Sequence, residues 1–155
     1  SSAPGLRSGF FVGDEEIIKR SGQFVSFGGS ALSLSMLHAS TALWNDDEHV
    51  VENRLYYAKN FRIAEEILKP YGGVSVPQAG FFLWLNVGDG IAASKKLWQE
   101  NAIKTVPGEL MARAGPGNEN PGKKYLRLAL VYDADTTKFG LQQVVKTLRM
   151  SPTGF

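Results

Sequence analysis

The sequence has no cysteine in 155 residues. That excludes disulfides, thiolate nucleophiles and cysteine-ligated zinc, and a reducing cytoplasm is the simple expectation. A long hydrophobic run is also missing. The most apolar stretch, residues 31–44, is broken by serines and His38 and is too short and polar to span a bilayer. No signal-peptide pattern is visible at the start. Basic residues form no block: 17 Lys and Arg against 15 Asp and Glu leave a net charge of +2. No nucleic-acid surface is expected from such a balance. The only two histidines, His38 and His49, are not at a metal-ligand spacing such as HExxH, and no acidic cluster accompanies them. Position 1 is not methionine but Ser1, followed by Ser2-Ala3-Pro4-Gly5. The chain is therefore expected to be a processed form or part of a longer polypeptide.

What is present is globular. Hydrophobic residues at 43% and charged residues at 21% argue against disorder. The length suits one domain with a core of its own. Residues 6–12, with Phe10, Phe11 and Val12 after a Pro-Gly turn, read as a strand. Asp14, Glu15 and Glu16 open a helix that runs to about Phe27, because acidic groups favour the positive helix N-terminus. Residues 31–44 read as a second, largely buried helix, in which His38 is a hydrogen-bonded core residue. A third helix is expected over residues 46–69, capped by Asn45 or Asp46. Val51, Leu55, Ala58, Phe61, Ala64 and Leu68 repeat along it at spacings of three and four. His49 lies in its polar first turn and reads as solvated.

Beyond Pro70 and Gly72 the pattern changes. Residues 80–87 read as a strand with Phe81, Leu83, Leu85 and Val87 on one face. Then come a helix over 90–100, a short strand over 103–106, a loop over 115–122, a strand over 125–132 and a closing helix over 135–150. In that last helix Leu141, Val145 and Leu148 share a face. This order predicts an α/β (α+β) layer, with a boundary near Asn45.

Residues 117–124 nearly match the phosphate-loop pattern GxxxxGK[ST]. Lys124 stands where the magnesium-binding hydroxyl belongs, Pro121 removes a backbone donor, and a strand follows instead of a helix. A plain loop is expected. Arg127 lies inside the alternating run Tyr125 to Val131, opposite Leu126, Leu128 and Leu130. Pattern alone leaves two readings open: an exposed or ion-paired strand residue, or a cleft arginine that grips a carboxylate through two parallel hydrogen bonds.

Four segments, in order, resemble the class I and II pyridoxal-phosphate aminotransferases. The segment PGLRSGFFVGD, Pro4 to Asp14, resembles the one that follows the family's catalytic lysine and carries P-G-x-R-x-G. Ala79-Gly80-Phe81-Phe82-Leu83-Trp84-Leu85 resembles a small-domain strand. Val106-Pro107-Gly108-Glu109-Leu110-Met111 resembles the V-x-P-G segment. Tyr125-Leu126-Arg127-Leu128-Ala129-Leu130-Val131 resembles the strand whose arginine binds the substrate α-carboxylate. The resemblance implies that Arg7 contacts the cofactor phosphate and that Arg127 binds the carboxylate. Phe82 then either lines the substrate end or belongs to the core. The resemblance also implies pyridoxal 5'-phosphate as cofactor, amino-acid and 2-oxo-acid substrates, and a cytoplasmic homodimer for the parent enzyme.

The Schiff-base lysine would lie two places before Ser1. No catalytic residue is thus expected within the chain, and the chain alone is expected to be inactive. Lys19 and Lys59 sit on polar helix faces and do not replace that lysine. Residues 1–44 are expected to be a C-terminal remnant of the large cofactor-binding domain, with its last strand and helices. Residues 45–155 are expected to be the small domain, a long helix and a small sheet covered by helices. Residues 41–61 and 115–131 further resemble the N-succinyldiaminopimelate aminotransferases of lysine biosynthesis. The segment Ser33-Leu34-Ser35-Met36-Leu37 departs from their usual S-P-P-V-Q. An alternative is the aminotransferase-like effector domain of a pyridoxal-phosphate-sensing transcriptional regulator.

Overall fold

The computed structural model describes residues 3–29, 31–72, 75–117 and 119–150. It divides into two compact units, Ser1–Arg54 and Leu55–Phe155.

In the first unit a short 3-10 turn, Pro4–Leu6, leads into extended chain and then helix α1, Glu15–Phe27. Asp14 caps α1 by accepting the N–H groups of Glu16 (3.1 Å) and Ile17 (3.2 Å). These are two of the four donors that a helix start leaves unpaired. The strand expected over 6–12 does not form. A strand is defined by its ladder partner, and no strand pairs with this segment among the described residues. Phe11 is 78% exposed and Val12 86% exposed.

Helix α2, Leu34–Trp44, starts three residues later than expected because Ser33 is its cap, accepting the N–H of Met36 at 3.4 Å. Its expected burial is also overturned. Ser40 is its one buried residue, with its hydroxyl donating to the Met36 carbonyl at 2.6 Å. His38 is exposed and not a core residue. An apolar composition leads to burial only where a second apolar surface meets it, and α2 stays largely uncovered.

Helix α3, Glu48–Leu68, carries the boundary between the two units. Asp46 caps it through the Glu48 N–H at 3.0 Å. The expected stripe is realised only in its second half: Phe61, Ala64 and Leu68 are buried, whereas Val51, Leu55 and Ala58 are exposed.

The second unit is built on a three-stranded antiparallel sheet, β1 (Phe82–Asn86), β2 (Val106–Pro107) and β3 (Tyr125–Ala129), in the order β1-β3-β2. Side chains alternate across the pleat. Leu83, Leu85, Leu126 and Leu128 therefore face one side, where they join a single buried cluster. The cluster includes Phe61, Ala64 and Leu68 of α3, Ala93 and Leu97 of α4 (Gly90–Asn101), and Leu141, Val144 and Val145 of α5 (Ala134–Thr147). Burying a leucine of this kind contributes about 2 kcal/mol.

Strand β2 is shorter than the expected 103–106. The Ile103 N–H closes the end of α4 on the Leu97 carbonyl (3.2 Å), and the Thr105 carbonyl accepts the Ser94 hydroxyl (3.3 Å). Ile103 and Thr105 thus spend polar groups on α4, and pairing begins only at Val106, opposite Arg127.

The loop expected over 115–122 is a loop in its described residues; Asn118 lies outside them. Asn120 organises it by donating to the carbonyls of Glu109 (3.0 Å) and Ala112 (3.1 Å) and accepting the Gly122 N–H (2.8 Å).

Asp133 caps α5 by accepting the Thr136 N–H (2.9 Å) and the Thr136 hydroxyl (2.7 Å). These bonds, the backbone one foremost, hold its carboxyl below the usual 3.8. A carboxyl depressed on folding adds stability above its unfolded value, and that stability is lost as pH falls through the folded value. Thermal melts of Asp133→Asn between neutral pH and pH about 2.5 should therefore show a shallower acid decline than the parent chain. An unchanged slope would remove Asp133 from the acid response.

Candidate functional site

The face of the sheet opposite the core carries Phe82, Trp84 and Asn86 from β1, Val106 from β2, and Tyr125, Arg127 and Ala129 from β3. Arg127 is central, with Trp84 and Val106 as its cross-strand Cα partners. It is half-buried, and its guanidinium carbon lies over the Phe82 ring, 4.2 Å from the centroid. No carboxylate within 4.0 Å pairs with it among the described residues. The ion-paired reading of Arg127 therefore falls, and an arginine with its donors available remains. Phe82 is half-buried on this outer face rather than enclosed in the core.

The floor of this region depends on glycine. Gly108, just after β2, and Gly122, just before β3, are both buried and pack backbone to backbone. A Cβ on Gly122 would come within 2.2 Å of the Gly108 carbonyl oxygen. A Cβ on Gly108 would lie 2.6 Å from the Gly122 oxygen and 2.9 Å from the Trp84 ring. This contact closes the end of the β2–β3 ladder next to Arg127.

Arg7 belongs to the first unit. It is exposed and sits in the left-handed region at φ 50°, its N–H returning to the Pro4 carbonyl at 3.3 Å. Non-glycine residues adopt that conformation at a cost of about 1 kcal/mol or more, and such positions gather at functional sites. No carboxylate pairs with Arg7 among the described residues.

His49 is half-buried, not solvated as expected. Its Nδ1 lies 2.9 Å from Asp46 Oδ2, and its Nε2 is buried without a hydrogen-bond partner among the described residues. The hydrogen bond from His49 holds the Asp46 carboxyl below its usual 3.8. No group of three or more potential ligands gathers to hold a metal among the described residues, and none of their helices is long and apolar enough to cross a membrane.

Sequence reasoning missed several residues that hold this region together. Asn60 of α3 is 1% exposed and donates to the carbonyls of Leu130 (2.9 Å) and Tyr132 (2.8 Å), just beyond β3. Asn120 and the Gly108–Gly122 pair were equally hidden. The one available signal for Asn60 was its place beside the apolar stripe, next to Phe61 and one turn before Ala64.

The family model for class I and II aminotransferases matches residues 1–139. The LL-diaminopimelate aminotransferase of Syntrophobacter fumaroxidans is 31% identical over 147 residues, which are 92% of this chain and 36% of that protein. The crystal structure of an aminotransferase from Neisseria meningitidis superposes with a TM-score of 0.79 at 40% identity, covering 94% of this chain and 37% of that one. LysN, an alpha-aminoadipate aminotransferase of Thermus thermophilus complexed with N-(5'-phosphopyridoxyl)-L-leucine, shares the fold at a TM-score of 0.72 and 20% identity, with coverages of 95% and 39%. The chain thus spans less than two-fifths of the length of these relatives. With residues 1–139 matched by the family model and 31% identity to a curated relative across nearly all of the chain, this protein belongs to the class I and II aminotransferase family.

Proposed function

We propose that these residues are the C-terminal part of an enzyme that transfers an amino group between an amino acid and a 2-oxo acid, with Arg127 as its carboxylate-binding residue. The observation that carries this is the Arg127 guanidinium, seated over Phe82 on the middle strand and without an acidic partner among the described residues. Substrates of this class share one α-carboxylate, which matches the planar donor fork of arginine. Gripping it from a rigid strand fixes the orientation of the reacting carbon, and orientation can supply several kcal/mol of barrier. In this reading Phe82 lines the same end of the site.

The family's cofactor is pyridoxal 5'-phosphate. When bound it supplies an electron sink for the carbon that loses its proton. Arg7 fits its phosphate: an exposed guanidinium with no competing carboxylate among the described residues is free to bind a dianion. The covalent attachment calls for a lysine outside these residues, so the 155-residue chain alone is read as inactive.

In the domain reading, residues 1–44 complete a large cofactor-binding domain and residues 45–155 form the small one. Exposed Phe24, Phe27, Leu34 and Leu37 in the first of these are the kind of apolar surface that a larger, homodimeric parent covers. For the substrate we favour a diaminopimelate-type amino acid such as N-succinyldiaminopimelate, with 2-oxoglutarate as acceptor, in cytoplasmic lysine biosynthesis. The match to an LL-diaminopimelate aminotransferase supports that choice.

The test is Arg127→Lys in the full-length enzyme that carries this chain. Lysine keeps the charge and loses the fork, so KM for both the amino and the oxo acid should rise about 10- to 50-fold. Unchanged KM values would remove Arg127 from the carboxylate site.

A further inference from the structure

One aromatic ring lies against the Arg127 guanidinium. Phe82 sits on β1 opposite Ala129, two residues along β3 from Arg127, which is the diagonal position an aromatic side chain reaches. The ring also has aromatic neighbours. Its centroid is 4.3 Å from that of Phe81, and Phe81 lies 5.2 Å from Tyr57 of α3. The Phe82 ring thus contacts both Phe81, itself packed near Tyr57 of a helix, and the charge of Arg127.

The chemistry of the contact matters. A ring attracts a cation through its quadrupole and forms no lone-pair hydrogen bond. A carboxylate neighbour would hold Arg127 as firmly but would occupy the N–H groups that a substrate needs. Among the described residues no acceptor bonds the Arg127 side chain, so its donors stay available. An unsupported arginine loses much rotamer freedom when an anion orders it. A ring that orders it beforehand lowers that loss.

We infer that Phe82 is a positioning residue. It holds the Arg127 guanidinium over the sheet by charge–ring attraction and thereby presents the donor fork to the α-carboxylate of amino and 2-oxo acids. The inference rests on the reading of Arg127 as the carboxylate-binding residue and deepens it.

Two measurements test it. In the 155-residue chain, ring-current shielding should displace the Arg127 δ-proton signals upfield. The displacement should persist in Phe82→Tyr and vanish in Phe82→Leu. Absence of the displacement in the unmodified chain overturns the inference without any variant. In the full-length enzyme, Phe82→Leu should raise KM for both acids roughly 3- to 30-fold with a smaller change in kcat, and Phe82→Tyr should restore it. In an Arg127→Lys background the same substitution should add little, a coupling that a purely structural role would not produce. If Arg127→Lys raises KM and Phe82→Leu does not, the positioning role falls and the carboxylate reading stands. If Arg127→Lys leaves KM unchanged, the carboxylate reading falls and the positioning role falls with it.

Discussion

Gly122→Ala should destabilise the chain by about 4 kcal/mol, above the usual range for overpacking. The reason is steric and local. The new methyl would lie 2.2 Å from the Gly108 carbonyl oxygen, 2.5 Å from its carbon and 3.0 Å from the Glu109 nitrogen. All three are backbone atoms, so no side chain can swing aside. Movement is further resisted because the Gly122 N–H is held by Asn120 at 2.8 Å and its carbonyl accepts the Tyr125 N–H at 3.0 Å. Relief must come by opening the β2–β3 ladder at Pro107 and Leu126, one pair away from Val106 and Arg127. Loss of stability and displacement of Arg127 should therefore occur together. A thermal melt should show the midpoint lowered by roughly 10 °C or more for a chain of this size. Gly117→Ala is the control. It lies in the same loop with nothing within 4 Å of its added Cβ, and its melt should be unaltered. Equal melts for the two variants would mean that the Gly108–Gly122 approach is looser than the structure has it.

Asn60→Leu should cost about 3 kcal/mol, although it replaces a polar side chain by an apolar one of the same branched shape in an apolar setting. The amide serves two carbonyls, those of Leu130 and Tyr132. The Tyr132 carbonyl keeps the Thr137 hydroxyl at 3.1 Å, whereas the Leu130 carbonyl loses the Asn60 donor at a buried position. An orphaned buried carbonyl costs about 1–3 kcal/mol, and a lost hydrogen bond adds about 1 kcal/mol. The two bonds also tie helix α3 to the chain leaving β3, so their loss should loosen the end of the strand that carries Arg127. Urea unfolding should show a lower midpoint with an unchanged slope, the mark of altered stability rather than altered compactness. A change below about 1 kcal/mol would mean that water or another donor takes over the carbonyls.

Much of this protein is legible residue by residue. Asp14 before Glu15 and Glu16, Asp46 before α3, Asp89 before α4 and Asp133 before α5 are carboxylates whose capping bonds span only two or three residues. The alternation from Leu126 to Leu130 is likewise local, because the pleat assigns successive residues to opposite faces. It places Arg127 on the face away from the core, as observed. The ordered motifs around Arg7, Gly80, Gly108 and Arg127 were enough to point to the aminotransferase family, which the comparisons then established.

The failures have a common cause. Residues 6–12 have strand composition yet no ladder, and residues 31–44 have core composition yet only Ser40 is buried. His38 is exposed where a core place was expected and His49 half-buried where solvent was expected, for the same reason: burial is a property of what packs against a residue, not of the residue.

The sequence by itself determined the starts of α1, α4 and α5 to within a residue, the side of the sheet that Arg127 occupies, and the family. These depend on backbone geometry repeating every two or 3.6 residues and on motifs contiguous in the chain. Only the tertiary structure decided that Arg127 rests on Phe82, that Asn60 clamps the chain beyond β3, and that Gly108 and Gly122 touch. Each of these joins residues at least 14 positions apart. Such contacts arise only when helices and strands close on one another, and no local periodicity encodes them.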